Sequence, residues 1–152
     1  MAAFSNYLEN KLIDLLFRSG TFSKPSTIAI ALCTAAPDDT DTGALTGKEV
    51  ANSFGYARVE VAPDDLNWEA TQGGTSGNSS GTTGTTVNAN DIDFPTASGG
   101  NWGTITHVAI VDDDTYGGGN LLFWGALTTP RTINDGDDFS FLAGELQIQL
   151  DD

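Results

Sequence analysis

The sequence predicts a mainly β protein, an antiparallel β-sandwich or barrel-like core with one short N-terminal helix. From residue 27 onwards, short segments are either continuously apolar or alternate between apolar and polar residues. Turn-forming residues separate these segments about every ten residues, as in sheets whose strands are joined by tight turns. Residues 4–19 differ, because their leucines recur at helical spacing.

The chain has 152 residues, which fits a single domain spanning 1–152. That length can bury a hydrophobic core without disulfides or metals. We assign the helix to residues 4–19 and the β core to residues 27–150. Within the core, residues 71–86 consist of Gly, Thr and Ser with one Gln and one Asn. Since nothing there can fill a core, we expect a long, flexible and exposed loop.

The predicted helix has an apolar stripe that needs a surface to pack on. Leu8, Leu12, Leu15 and Leu16 fall at i, i+4, i+7 and i+8, and Tyr7 flanks them. Because so short a helix is marginal alone, the stripe covers either this chain's own β core or a neighbouring subunit. These five residues are therefore the candidate assembly interface.

Local signals place the two ends of the helix. Asn6, followed three residues later by Glu9, predicts a capping pair at the start. Arg18 suits the negative end of the helix dipole, and Gly20 predicts the stop.

The first half of the β core contains two predicted strands. Residues 28–32 form a short apolar run that predicts a buried strand. Residues 56–61 alternate, which places Tyr56, Arg58 and Glu60 on one face and Val59 and Val61 on the other.

The second half is richer in strands, and residues 104–111 give the strongest prediction. Asn134-Asp-Gly136 is a good turn signal between two of the segments. The other predicted strands are 87–94, 121–127, 131–133, 138–142 and 145–150.

The charge of the chain excludes some partners. Six Lys and Arg against twenty-one Asp and Glu give a net charge of −15. Such a surface repels phosphate backbones and anionic membranes, so we expect neither nucleic acid nor membrane as a partner. Assembly would need specific apolar patches or a basic partner. Acidity that serves only solubility is an equal alternative.

Cys33 is the single cysteine, so no intrachain disulfide can form. It lies in the apolar run that begins at Thr27, which predicts a buried thiol rather than a nucleophile. The N-terminal residues lack the basic start of a signal peptide. We therefore expect a protein that folds in a reducing cytoplasm.

Catalytic sets are scarce in this sequence. His107 is the single histidine, in the middle of a predicted strand, where a structural role is the ordinary expectation. Residues 77–81 match the letters of the Gly-x-Ser-x-Gly hydrolase elbow, but within a Gly/Ser/Thr tract and not at a strand-to-helix turn. Trp68, Trp102 and Trp124 could form a sugar platform, although a place in the core or at a subunit interface is the default for all three. We predict no enzymatic activity.

Two acidic clusters make calcium the one cofactor to consider. Residues 38–41 and 112–114 are rich in aspartate. Neither carries the complete calcium-loop spacing with its terminal glutamate, so solvated turns are favoured and no cofactor is expected.

Seven segments, spread over nearly the whole chain, carry a resemblance to a known family. They are Asn6–Phe17, Ala31–Thr34, Gly55–Arg58, Ile92–Pro95, Trp102–His107, Asn120–Pro130 and Ala143–Leu146. Together they resemble a family of small bacteriophage virion proteins, labelled head decoration or tail fibre proteins. The resemblance implies no catalytic residues.

The resemblance implies a structural protein of the virion, from which two hypotheses of function follow, and the predicted fold adds a third. The first is a capsid decoration (cement) subunit, a trimer by preference, that binds the major capsid protein and stabilises the shell. The second is a tail fibre or baseplate component that contacts tail proteins or a host surface glycan. The third is a small glycan-binding module of the lectin type, because sandwich folds host many functions.

Overall fold

The computed structural model describes residues 3–150 of the chain. Their secondary structure comprises one helix and nine strands. The helix is α1 (Asn6–Phe17), and the strands are β1 (Ala3–Phe4), β2 (Ala29–Cys33), β3 (Val59–Glu60), β4 (Thr85–Val87), β5 (Ile92–Asp93), β6 (Gly103–Val111), β7 (Leu121–Ile133), β8 (Ser140–Phe141) and β9 (Gln147–Gln149).

Five strands form the main sheet, in the order β1-β7-β6-β2-β3, and every neighbouring pair is antiparallel. Two further antiparallel pairs, β4 with β9 and β5 with β8, stand apart from it. In the part of the chain that the structure describes, β1 and β3 remain the two edges of the main sheet, so it does not close. The predicted antiparallel β fold with an N-terminal helix is confirmed, whereas a closed barrel is not formed.

The main core lies between this sheet and the two short strand pairs. Alternation along β2 directs Ile30 and Leu32 to this side, and Val108 and Ile110 of β6 join them. Apolar residues of the short pairs and of the turns beside them face these four. They are Ile92, Phe94, Phe139, Phe141, Leu146 and Ile148.

The other face of the sheet carries small side chains. Ala29, Ala31 and Cys33 alternate with the core residues of β2 and are fully buried beneath Leu45 and Trp124. Small residues here let the loop that carries Leu45 lie close to the sheet. Burial raises the pKa of the Cys33 thiol to about 12, which agrees with the predicted inert, buried cysteine.

Two predicted strands differ in extent from the observed ones. Of residues 56–61, only Val59 and Glu60 pair as a strand, because the side chains of Tyr56 and Arg58 turn inwards to bind Glu49. Predicted strand 87–94 is divided into β4 and β5. Asn88 divides it, since its buried side chain bonds the backbone of Asn90, Leu142 and Leu146 and turns the chain.

Strand β7 joins two segments that the sequence predicts separately. Its pairing with β6 passes from Ala126 opposite His107 to Arg131 opposite Ile105. Four residues of β7, 127–130, therefore stand opposite a single residue of β6, Thr106, and form a bulge. Such a bulge accommodates Pro130, which has no N–H to donate to a ladder.

The loop predicted over residues 71–86 is turn-rich and largely exposed up to residue 84, and its last two residues belong to β4. It is closed upon itself by side chains. Thr71 Oγ1 accepts the Gly81 N–H at 2.8 Å, and Gln72 Oε1 accepts the Ser80 N–H at 2.8 Å.

Candidate functional site

Helix α1 is fixed to the sheet at its N-terminus, through the capping residue that precedes Asn6. Ser5 is fully buried and caps the helix, since its Oγ accepts the N–H of Leu8 at 3.3 Å. The same hydroxyl donates to the carbonyl of Leu121, and the Ser5 N–H donates to the carbonyl of Leu122 at 3.0 Å. The Asn6 N–H donates to the Asp39 carbonyl at 2.9 Å. The capping residue is therefore Ser5, and the prediction of Asn6 was wrong by one position.

The apolar side chains of α1 become more exposed along the helix. Leu8, in the first turn, is 6% exposed and belongs to the main core. One turn later, Leu12 packs against that core but is only partly buried. The last five residues expose four large apolar side chains, which we call the apolar helix end. They are Ile13 (51%), Leu15 (44%), Leu16 (68%) and Phe17 (81%).

The structure thus divides the five predicted interface residues into two groups. Tyr7, Leu8 and Leu12 pack on this chain's own core, whereas Leu15 and Leu16 face solvent. Sequence reasoning missed Ile13 and Phe17 as members of the exposed set. Spacing could have found them, because residues 13, 16 and 17 stand at i, i+3 and i+4 and share a face.

The end of α1 is formed by local contacts. Gly20 donates its N–H to the Asp14 carbonyl at 3.2 Å, and a Cβ on Gly20 would lie 2.5 Å from Asp14 Cβ, so this close return needs glycine. Arg18 Nε lies 3.2 Å from Asp14 Oδ1, so the two charges offset each other. The helix occupies 6–17 rather than the predicted 4–19. It begins later than predicted because Phe4 belongs to β1 and pairs with Phe123 of β7.

Charge is distributed unevenly between residues 1–24, which include α1, and the rest of the molecule. Residues 1–24 hold three of the six cations against two acids, a net charge of +1. Residues 25–152 hold three cations against nineteen acids, a net charge of −16. Two of those three cations, Lys48 and Arg58, are ion-paired with acidic side chains. The apolar helix end therefore lies in a segment that does not carry the acidity of the chain.

A second cluster, which we call the arginine clasp, consists of Glu49, Tyr56 and Arg58. The Arg58 guanidinium bonds both oxygens of Glu49 at 2.8 Å, and neither side chain is accessible to solvent. Burial opposes the charge of Arg58, but the hydrogen bonds and charge of Glu49 outweigh it and raise its pKa. Tyr56 donates its hydroxyl to Glu49 at 2.9 Å, and burial raises its pKa.

The arginine clasp also organises two loops. Arg58 donates to the carbonyls of Asp113, Thr115 and Gly118 at 2.8–3.1 Å, and to that of Gly43. Every partner of the guanidinium is a buried carboxylate or a backbone carbonyl. The cluster is therefore a structural clasp between loops, without an open position for a substrate.

An open groove of about 510 Å³ lies between β7 and β9. Its apolar lining includes Val108, Ile110, Phe123 and Ile148, and Glu145 stands among its polar residues. None of the α1 residues lines it. Arg131 and Ser140 also line the groove, which has no histidine or cysteine among its lining residues.

The other candidate residues show no catalytic or metal arrangement. His107 is half-buried, with Nδ1 2.9 Å from Thr106 Oγ1. Ser79 lies in a turn-rich loop, where its Oγ accepts the Thr71 N–H at 3.3 Å. Within residues 3–150, no group of three His, Cys, Asp or Glu side chains is arranged to hold a metal ion, and no helix could span a membrane.

The three tryptophans do not form one platform. Trp102 is buried, and its indole N–H donates to the Phe54 carbonyl at 2.9 Å. Trp68 packs against the main core, whereas Trp124 packs on the other face of the sheet. They pack the two cores, which was one of the two default expectations.

A family model described as Podophage GP4 fiber I protein gp80 matches residues 3–149. The match includes α1, the arginine clasp, the groove and all nine strands. No curated protein matches the chain.

Proposed function

The chain belongs to the podophage GP4 fiber I protein gp80 family, and from this membership we propose that it is a tail-fibre structural subunit. The match over nearly the whole chain is the observation that carries the proposal. Of the hypotheses drawn from the sequence, a fibre component fits the family description better than a capsid decoration subunit does. The proposal therefore takes other tail proteins as its partners.

Chemistry plays no part in this proposal. In two clusters, the charged side chains pair with each other within the chain. Arg58 is paired with Glu49, and Lys48 Nζ lies 2.7 Å from Asp38 Oδ2. A structural subunit needs a rigid body and a surface that binds a neighbour. The two-layered β core supplies the body, and the apolar helix end supplies the surface.

The assembly role of α1 rests on the contrast between its two ends. The start of the helix is capped and buried, which sets its direction from the sheet. Its last five residues leave four large apolar side chains exposed, a patch of the kind that marks interaction sites. We expect Leu15 and Leu16 of the predicted interface to contact a neighbour, together with Ile13 and Phe17.

We propose that the subunit works without a cofactor, calcium included. The Asp38 and Asp41 carboxylates both bond Lys48, so the lysine already neutralises part of their negative charge. Addition of millimolar calcium or of a chelator should leave the melting temperature unchanged within experimental error. A rise in melting temperature with calcium would restore the calcium site.

The test of the fibre proposal is the copy number and position of the subunit in purified phage particles. Quantitative mass spectrometry against the major capsid protein gives the copy number, and antibody labelling in electron micrographs gives the position. A fibre subunit should be present in tens of copies or fewer and be labelled at the tail. Hundreds of copies with label over the shell would establish capsid decoration instead. Absence from particles would contradict the fibre proposal and favour the hypothesis of a free glycan-binding protein.

A further inference from the structure

We propose that the apolar helix end of α1 binds the same surface of a second copy of this chain. The proposal rests on the fibre function and names the partner that covers its assembly surface. Four large side chains that α1 leaves exposed would then pack against their counterparts: Ile13, Leu15, Leu16 and Phe17. The contact is one between like surfaces, and the body of each subunit takes no part in it.

The size of the patch suits a pair of copies. The four side chains are between 44% and 81% exposed and together present on the order of 500 Å² of apolar surface. Because Ile13, Leu16 and Phe17 share a face and Leu15 lies away from it, two such patches placed face to face would remove at most about 1,000 Å² from water. That maximum is near the lower bound for a specific protein interface. Phe17, the most exposed of them, is of the large apolar type that anchors interfaces.

Charge permits a second copy at this surface. Two bodies that each carry a net charge of −16 repel each other wherever acidic faces meet. The segment 1–24 carries +1, and its Asp14 is already paired with Arg18. Two copies can therefore approach through their helix ends without bringing unpaired acids into contact.

The local geometry also favours contact through the helix end. The first turn is fixed by Ser5 and Leu8, so the direction of α1 is set before any partner binds. The last turn has no packing of its own at Leu16 and Phe17, so these side chains need not leave other contacts to meet a partner. A preorganised surface of this kind binds with little loss of conformational entropy.

The experiment measures self-association of the full chain by sedimentation velocity over a range of concentrations. The wild-type chain should form an oligomer whose dissociation constant rises more than about tenfold in Phe17→Glu. Leu142→Glu is the matched control, because Leu142 is 53% exposed but lies outside α1. It should associate like the wild type. Equal melting temperatures of the three proteins, measured at a concentration where all are monomeric, would show that each is folded.

A cysteine variant then identifies which surfaces meet. Cys33 is fully buried, so Leu16→Cys would add the one accessible thiol of the described chain. Mild oxidation should link two copies of Leu16→Cys through a disulfide, whereas Leu142→Cys should stay unlinked. Oligomers without the Leu16→Cys link would overturn the proposal, since the helix end would then contact another surface, such as the groove.

The outcomes also separate this inference from the fibre function. A wild-type chain that stays monomeric at high concentration, yet is present at the tail of particles, would overturn the second copy as partner and leave the fibre function standing. A chain that self-associates through Leu16→Cys but is absent from particles would sustain the inference and refute the function.

Discussion

The apolar helix end and the arginine clasp differ in which kind of side chain is exposed to solvent. Arg58 and Glu49 are charged and wholly buried, and the guanidinium is bonded to two carboxylate oxygens and four carbonyls. Leu16 and Phe17 are apolar and lie mostly in solvent. The chain thus completes its buried polar contacts internally and leaves apolar contacts open.

This difference separates what holds the fold from what binds a partner. Buried charges are costly unless every partner is present, so the arginine clasp fixes the loops around it. Exposed leucines and a phenylalanine contribute little to the folded monomer, and an acidic protein needs such a patch to overcome its own repulsion. Changes at the clasp should therefore affect stability, and changes at the helix end should affect assembly.

The largest effect is expected from Arg58→Met. Removal of the guanidinium leaves the Glu49 carboxylate buried without its cation and takes one donor from each of four carbonyls, which should lower the free energy of unfolding by about 3–5 kcal/mol. Urea unfolding followed by tryptophan fluorescence measures it. The double variant Arg58→Met/Glu49→Leu should regain part of the loss, because no charge is then stranded. A loss below 1 kcal/mol would show that the clasp does not hold the fold.

A second comparison uses two leucines of the same helix. Leu8→Ala removes a buried side chain and should cost about 2–4 kcal/mol of unfolding free energy. Leu16→Ala removes an exposed one and should change it by no more than about 0.5 kcal/mol. Both values come from urea denaturation at a protein concentration where the chain is monomeric. Equal losses would mean that the last turn of α1 packs on its own body.

The cap of α1 should have an intermediate effect. Ser5→Ala removes the acceptor of the Leu8 N–H and the hydroxyl that donates to the Leu121 carbonyl, and about 1–2 kcal/mol of unfolding free energy should be lost. Asn6→Ala is the control, since its exposed side chain is not the cap. Thermal unfolding by circular dichroism would contradict the assignment if Asn6→Ala were the more harmful change.

The smallest effect concerns the pH dependence of stability. Hydrogen bonds from Lys48 and then Thr40 lower the pKa of Asp38 to about 2 from its ordinary value of 3.8. Because the folded-state pKa is the lower one, this contribution is present above about pH 4 and is lost as the pH falls towards 2. Asp38→Asn should therefore melt slightly below the wild type at neutral pH, and the gap should close at pH 2. A gap that widened on acidification would contradict the Lys48 contact.

The parts of the fold that depend on neighbours in the sequence could be predicted. The apolar run of β6 and the turn at Asn134 to Gly136 are local signals, and both are found where expected. Long-range contacts set the rest. Ser5 becomes the cap because Leu121 accepts its hydroxyl, and Arg58 shortens β3 because Glu49 and distant carbonyls bind it.

The candidate surface was predictable only in part for the same reason. Helical spacing identified the leucine stripe, and two of its members, Leu15 and Leu16, are exposed as an interface requires. Spacing alone cannot tell which turn of a helix packs on its own core. That depends on where the sheet ends beneath α1, and so Ile13 and Phe17 were missed.

The central claim, that the helix end assembles the fibre, is tested most directly by incorporation of variants into particles. Phage that lacks the gene for this chain would be grown in cells that supply the wild type, Leu16→Glu/Phe17→Glu or Leu142→Glu. Mass spectrometry of the purified particles then counts the subunit. We expect wild-type copy number for Leu142→Glu and little or none for the helix variant, although that variant melts at the wild-type temperature. Incorporation of the folded helix variant at the wild-type level would contradict the account.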